Sequence, residues 1–205
     1  IKSRFFANIS HEFRTPLTLI QGPLMQIEEQ ATTARKNEGL VSVPWRKITT
    51  MRRHTDRLLE LVNQLLDLSR LDSGKMKLQV TKGDVMQVLK TLAASFESMA
   101  ERKQIHYHVH FPEQSQIVFF DRDKLEKIVT NLLANAFKYT PEKGSVSFIA
   151  GIEEKRLRLS VEDSGPGIAK KELDKVFDRF YQPEGNEDKG AGIGLALVKE
   201  LTELY

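Results

Sequence analysis

In the first third of this chain, apolar residues recur with the period of an α-helix. Each of two stripes recurs at intervals of three or four residues, the spacing of one face of an α-helix. Two helices alone bury too little of so wide an apolar face, so we expect a helical hairpin that pairs with a second copy as a four-helix bundle. Docking of the face onto the rest of the chain is the alternative. The stripes comprise Phe6, Ile9, Phe13, Leu17, Ile20, Leu24 and Ile27, then Ile48, Met51, Thr55, Leu58, Val62, Leu65 and Leu68.

The pattern changes near Ser73, where short apolar runs broken by glycine and proline begin. We predict an all-α hairpin over residues 1–73, with its polar connection at residues 31–44, and a second domain over residues 74–205. The second domain is predicted to be an α+β sandwich, because strands and helices mix without a regular βαβ rhythm. Its predicted helices cover residues 84–102, 122–137, 170–177 and 193–204, and its predicted strands cover residues 105–111, 117–120, 145–151 and 156–162.

Composition excludes several classes of protein. Hydrophobic residues make up 40% of the chain, enough to bury a core, and the absence of cysteine excludes disulfides and thiolate metal sites. No apolar run reaches the roughly 18–20 residues of a membrane helix, so we expect this stretch to be soluble. The formal net charge of +3 is too small to indicate nucleic-acid binding. The basic side chains of residues 46–57 are more simply a solvated helix face.

His11 is the informative residue of the hairpin. It follows Ile9 by two positions, about 200° around the helix, so it is predicted to face water. Pro16 favours a bend, because it cannot donate to the carbonyl of Glu12. An exposed imidazole beside the carboxylate of Glu12 suggests a nucleophile with an adjacent base, although most lone surface histidines have no such role. The histidines at 106, 108 and 110 share one strand face, as metal ligands can, but an amphipathic strand explains them more simply.

Polar clusters in the second domain indicate a ligand site. Asn131 and Asn135 share a helical face and offer amide oxygens of the kind that bind Mg²⁺. Lys138 and Tyr139 follow as candidate contacts for a phosphate and a base. Asp163 ends a predicted strand and is a candidate acceptor for an adenine amino group.

Two glycine runs accompany these clusters. Gly165 and Gly167 permit close approach of a ligand to the backbone, although such a run is often only a tight turn. The second run opens a predicted helix, where free N–H groups and the helix dipole form a phosphate cradle. The polar segment before it, residues 183–189, has the composition of a mobile lid. The second run comprises Gly190, Gly192 and Gly194, followed by Leu195.

Five motifs stand in a fixed order: H-E-F-R-T-P at residues 11–16, N-L-L-A-N-A-F-K-Y at 131–139, D-S-G-P-G at 163–167, F-D-R-F-Y at 177–181 and G-A-G-I-G-L at 190–195. Each is weak alone, but together they resemble the kinase core of a bacterial sensor histidine kinase, including the hybrid type. The resemblance covers nearly the whole chain. It implies a dimerisation and phosphoacceptor domain, followed by an ATP-binding domain of the Bergerat (GHKL) fold that uses ATP and Mg²⁺.

The resemblance also implies roles. His11 matches the phosphoaccepting histidine, Glu12 its acid–base neighbour, and Thr15 the residue that helps orient water during dephosphorylation of the partner. That partner is a response-regulator receiver domain, separate or fused, whose aspartate takes the phosphoryl group. The family places this region on the cytoplasmic side of a bacterial inner membrane, held there through upstream segments, with no direct contact to nucleic acid.

In the second domain the resemblance makes Asn135 the Mg²⁺ ligand, with Asn131 on the same face. Lys138 resembles a phosphate contact, Tyr139 an adenine neighbour, and Asp163 the acid that reads the adenine amino group. The remaining matches shape the pocket or cover the phosphates: Gly165, Gly167, Gly190, Gly192, Gly194 and Leu195.

Two departures from the family pattern leave alternative functions open. Many relatives carry an arginine after the Phe-Tyr pair, where this chain has Gln182, so Arg179 or Lys189 would have to contact the phosphates. The chain also stops at Tyr205, before the family's last strands, so we expect an open and less stable sheet. One rival is a dimeric scaffold that binds nucleotide without transferring phosphate. Another is a nucleotide-gated module of chaperone or mismatch-repair type, which has no use for the histidine helix.

Overall fold

The computed structural model describes residues 2–36, 41–182 and 192–205. They divide into two compact units, Ile1–Ser69 and Arg70–Tyr205. No helix in the described ranges is both long enough and apolar enough to cross a membrane.

The first unit is built from two long helices, α1 (Lys2–Lys36) and α2 (Trp45–Asp72) up to Ser69, while the last turn of α2, residues 70–72, belongs to the second unit. The connection predicted to begin at residue 31 is wrong at that end, because α1 continues to Lys36 through residues that mostly favour helix. Pro16 and Pro23 both lie inside α1 without ending it. The hydroxyl of Thr15 donates to the carbonyl of His11 at 3.3 Å, a bond within the helix just before the first proline.

Part of the apolar surface of the first unit stays uncovered. Leu61 and Leu68 are its buried hydrophobic residues among the side chains described. Most described apolar residues of the two predicted stripes are partly buried, but Leu17, Leu24, Ile48 and Val62 remain exposed. The unit's exposed large apolar side chains are Leu17, Leu19, Leu24, Met25, Trp45, Ile48, Leu59, Val62 and Leu66.

The second unit contains two small sheets and a layer of helices. One sheet pairs β1 (Thr81–Asp84) with β3 (Ile117–Phe120) in antiparallel fashion. The other has the order β2-β4-β5 and is mixed, because β2 (His106–His110) runs parallel to β4 (Ser145–Glu153) and β5 (Arg156–Asp163) runs antiparallel to it. The helices are α3 (Val85–Ala94), α4 (Glu97–Lys103), α5 (Arg122–Tyr139) and α6 (Gly194–Leu204), with a 3-10 turn at Lys170–Glu172.

The core of the second unit lies between the three-stranded sheet and α3, α4 and α5. Alternate residues of β4 are buried, so one sheet face carries the helices. Phe137 of α5 is fully buried, stacks on Phe96 at 5.6 Å and meets the Tyr107 ring edge-on at 5.1 Å. This packing fixes the orientation of α5, and with it the face that carries the two asparagines.

Two predictions for the second unit are corrected, and one strand was missed. The helix predicted over residues 84–102 is two helices, because the chain turns at Ser95 to insert the ring of Phe96 into the core. The helix predicted over residues 170–177 contains only the single 3-10 turn, and Leu173 and Phe177 remain exposed. Strand β1 was not predicted from the sequence.

Candidate functional site

His11 lies exposed on α1, as the helical period predicts. The next residue, Glu12, keeps only 16% of its side chain exposed and forms an ion pair with Arg57 of α2, with Nη2 and Oε2 3.5 Å apart. Arg57 is therefore more than part of a solvated basic face. Thr15 is exposed one turn from His11, so it shares that face of the helix.

Helix α5, which carries the asparagines, is anchored at its start by Asp121. This carboxylate is 2% exposed, caps the helix through the N–H of Lys124 at 3.1 Å, and accepts a second bond from the N–H of Gln79 at 2.7 Å. The hydroxyl of Tyr205 donates to the Asp121 carbonyl at 2.7 Å, and burial raises the pKa of that phenol. Asp121 was not singled out from the sequence, because its partners Gln79 and Tyr205 are distant in the chain.

The asparagine face meets the start of α6. Asn131 donates from Nδ2 to the carbonyl of Lys127 at 2.7 Å, which leaves its Oδ1 directed toward Gly194. A Cβ added at Gly194 would lie 2.7 Å from that oxygen and 3.9 Å from Nδ2 of Asn135. The absence of a side chain at Gly194 therefore permits this close approach without displacing the Asn131 amide, and it brings the start of α6 beside both amides. Leu195, the next residue, is half-buried.

The turn after β5 lies against the other end of α5. The Asp163 Oδ1 accepts the N–H of Gly165 at 2.8 Å, and a Cβ at Gly165 would lie 3.0 Å from the Tyr139 carbonyl oxygen. Ser164 accepts the N–H of Ser145 at 2.8 Å, which fixes the turn to β4. Gly167 has a φ of 69° and open space around it.

Lys138 and Tyr139 end the same helix. The ammonium of Lys138 lies 4.7 Å from the centre of the Tyr139 ring, and burial raises the pKa of the Tyr139 phenol. The ammonium of Lys103 donates to the Phe137 carbonyl at 2.7 Å and so satisfies a carbonyl of the last turn.

The arrangement gathers the asparagines, the aspartate turn and the start of α6 around one helix. Gly192 has a φ of 64°, and its carbonyl accepts the N–H of Phe180 at 2.8 Å. Gly190, Lys189 and the predicted lid at residues 183–189 lie outside the described residues. His11, Glu12 and Thr15 belong to the first unit and are not part of this cluster.

Arg179 forms hydrogen bonds with carboxylates of the second unit. Its guanidinium donates two bonds of 2.6 Å to the carboxylate of Asp72 and one of 2.7 Å to Glu200. The hydrogen bond from Arg179 holds the pKa of Asp72 below its ordinary value. In this conformation the guanidinium of Arg179 is paired with two carboxylates. This pairing does not support Arg179 as the phosphate contact that replaces the family's arginine at the position of Gln182.

Other features of the second unit lie apart from this cluster. A cavity of about 620 Å³ beside α4 and β2 is lined by Glu97, Glu101 and Tyr107 among others and contains none of the candidate residues for nucleotide binding or phosphoryl transfer. Across the described ranges, no group of three histidine, aspartate or glutamate side chains is arranged to hold a metal ion. The three histidines of β2 are exposed, while Tyr107 between them is partly buried.

Two family models match the two parts of the chain. Residues 1–74 match the His Kinase A (phospho-acceptor) domain. Residues 120–205 match the histidine kinase-, DNA gyrase B- and HSP90-like ATPase domain. The chain contains the core of a sensor histidine kinase. The first part has the helical hairpin of the phosphoacceptor domain family, and the second has the GHKL-type ATP-binding fold.

Known histidine kinases resemble this core along its whole length. Histidine kinase P4 of Formosa agariphila is 37% identical over 100% of this chain, which spans 15% of that protein. The chain thus corresponds to a small part of this relative.

Solved histidine kinase structures have the same fold. AdeS of Acinetobacter baumannii superposes with a TM-score of 0.71 at 25% identity, covering 95% of this chain and 86% of that one. Full-length ShkA, solved in complex with AMPPNP, superposes with a TM-score of 0.69 at 30% identity, covering 98% of this chain and 41% of that one.

Proposed function

We propose that this kinase core transfers the γ-phosphoryl group of ATP to His11. The observation that carries the proposal is the convergence of Asn131, Asn135, the Asp163 turn and the start of α6 around one helix. The exposed imidazole of His11, beside a carboxylate, supplies the acceptor in the other unit. The AMPPNP complex of ShkA supports the same use of the second unit.

The second unit offers groups suited to a nucleotide triphosphate. Asp163 is exposed at the turn, where its carboxylate can accept a hydrogen bond from the amino group of adenine. Tyr139 lies at the end of α5, against which this turn packs. The N-terminus of α6 offers free N–H groups and positive dipole potential to the phosphates, and Gly194 leaves room for that approach. Lys138 adds a cation near the end of α5.

The asparagine pair fits a magnesium ion. Their amide oxygens are hard donors, and the glycine at position 194 keeps a Cβ from lying 2.7 Å from the Asn131 oxygen. Asn135 would hold the ion, with Asn131 beside it. When bound, Mg²⁺ neutralises charge that develops on the phosphates during transfer.

In the proposed reaction a ring nitrogen of His11 forms a bond to the γ-phosphorus as the bond to the ADP oxygen breaks. Glu12 accepts a hydrogen bond from the other ring nitrogen, holds the reactive tautomer and stabilises the positive charge that develops on the ring. Positioning and electrostatics supply most of the catalysis in such transfers.

The hairpin is proposed to act as a homodimer and to pass its phosphoryl group on. Membership of residues 1–74 in the His Kinase A family implies dimerisation, and the uncovered apolar side chains of α1 and α2 supply the surface. A phosphohistidine is a reactive donor, and an aspartate on a response-regulator receiver domain is the proposed acceptor. Thr15 is proposed to orient water for the reverse, dephosphorylating reaction.

Incubation with γ-labelled ATP and Mg²⁺ tests the proposal. We expect the label to be lost in acid and kept in alkali. His11→Gln should abolish the label, whereas His54→Gln, a control at another histidine that lies on α2, should leave it unchanged. A chain that is stabilised by nucleotide yet takes up no label would instead be the non-enzymatic scaffold, and would contradict the proposal.

A further inference from the structure

The ion pair between Glu12 and Arg57 joins the two helices of the first unit beside the proposed phosphoacceptor. Glu12 is 16% exposed and Arg57 44% exposed, and their charged atoms lie 3.5 Å apart. A fully exposed pair would contribute little, because water screens it and both side chains lose freedom. The low exposure of Glu12 reduces that screening, so its carboxylate is held more firmly than a free surface glutamate.

The position of this carboxylate matters because Glu12 directly follows His11 in the chain. A glutamate side chain has several rotatable bonds, so an unpaired glutamate at this position would sample many rotamers. A fixed cation on α2 selects the rotamers that remain near it. Arg57 therefore restricts where the proposed acid–base group of the reaction can lie.

The charge of Arg57 has a second consequence once His11 carries a phosphoryl group. The phosphoryl group is negative, and a carboxylate on the next residue repels it. A cation paired with that carboxylate offsets the repulsion. This part of α2 is basic: burial, followed by the charges of Arg53 and Arg57, lowers the pKa of His54.

We propose that Arg57 is a positioning residue for phosphoryl transfer, which holds the carboxylate of Glu12 for His11 and offsets its charge when the histidine is phosphorylated. The proposal rests on the proposed function, since it assigns a supporting role in that reaction.

The test uses the full chain with two phosphoryl donors, Mg·ATP and phosphoramidate, and follows the rate of modification of His11 by mass spectrometry. With phosphoramidate, the imidazole nitrogen bonds to phosphorus, the P–N bond breaks and ammonia leaves with the proton, so no nucleotide is needed. Failure of the ATP reaction in the unmodified chain would refute the proposed function, while the phosphoramidate reaction would still report on Arg57.

We expect Arg57→Gln to slow both reactions about tenfold, a part of the roughly 10²–10⁴-fold that a positioned acid–base group contributes. Arg57→Lys should restore most of the rate, and Arg52→Gln, an equal charge change on the same helix, should leave it unchanged. In the Glu12→Gln background, Arg57→Gln should cost nothing further, and this double variant leaves no unpaired carboxylate that would disturb folding.

Three results would overturn the proposal. Arg57→Gln could react as fast as the unmodified chain with both donors. It could slow the ATP reaction alone, which would place its effect at the nucleotide rather than at Glu12. Its effect could also persist in full in the Glu12→Gln background, which would show that it does not act through the carboxylate.

Discussion

Replacing Gly192 by alanine tests whether close backbone packing, rather than backbone conformation alone, holds the start of α6 in place. A Cβ at Gly192 would lie 2.6 Å from the carbonyl oxygen of Tyr181 and 2.8 Å from the carbonyl carbon of Phe180. These are backbone atoms, so they cannot move aside as a flexible side chain would.

Gly167 is the matched control. Its φ of 69° is close to the 64° of Gly192, so an alanine at either position loses about 1–2 kcal/mol from the left-handed conformation. No atom lies within 4 Å of a Cβ at Gly167. Overpacking adds about 1–3 kcal/mol at Gly192 alone. We therefore expect Gly192→Ala to destabilise the second unit by about 2–5 kcal/mol, against about 1–2 kcal/mol for Gly167→Ala.

Guanidinium unfolding of the full chain measures the difference. Near-ultraviolet circular dichroism of the tyrosines follows the second unit, because all four tyrosines lie there while the single tryptophan, Trp45, lies in the first unit. Equal losses at the two glycines would refute the argument, since they would show that the close contact with Tyr181 costs nothing.

Three further predictions concern other residues. Asp121→Ala should destabilise the second unit by about 1–3 kcal/mol, because it removes a helix cap and leaves the part-buried N–H groups of Gln79 and Lys124 without this partner; the same unfolding experiment measures it. The depressed pKa of Asp72 means that its bond to Arg179 stabilises the fold above the unfolded value of 3.8 and ceases to do so as pH falls through the lower folded value. Arg179→Ala should therefore reduce stability at neutral pH but lose its effect in acid, which thermal unfolding at several pH values would reveal. Thr15→Ala should slow dephosphorylation of a phosphorylated receiver domain while autophosphorylation continues; unchanged dephosphorylation would remove that role.

Much of the fold could be predicted because the sequence patterns that mark its helices and turns lie within short stretches of the chain. The helical period marks α1 and α2, and glycine and proline mark the turns of the second unit. Where the prediction failed, distant contacts decided the outcome. The sequence around Phe96 has no helix-breaking residue, and the interruption between α3 and α4 accompanies the burial of its ring in the core, where it stacks on Phe137. Strand β1 contains Gly83 and Asp84, which are poor strand formers, and exists by pairing with β3.

The candidate sites were predictable to a similar extent. The spacing of Asn131 and Asn135 places them on one face of a helix without any knowledge of the fold. That Gly194 presses against this face could not be read from the sequence, because it depends on how α6 packs on α5. Arg57 was interpreted as one of several solvated basic residues, and its pairing with Glu12 depends on how the two helices meet.

Mapping the phosphoryl group among the five histidines of the chain tests the central claim most directly. After reaction with Mg·ATP, peptides prepared under alkaline conditions should carry phosphate on His11 alone, and the label should disappear when Asn135 is replaced by alanine in the second unit. Phosphate on His54 or on the histidines of β2, or a His11 label that survives loss of Asn135, would contradict the account.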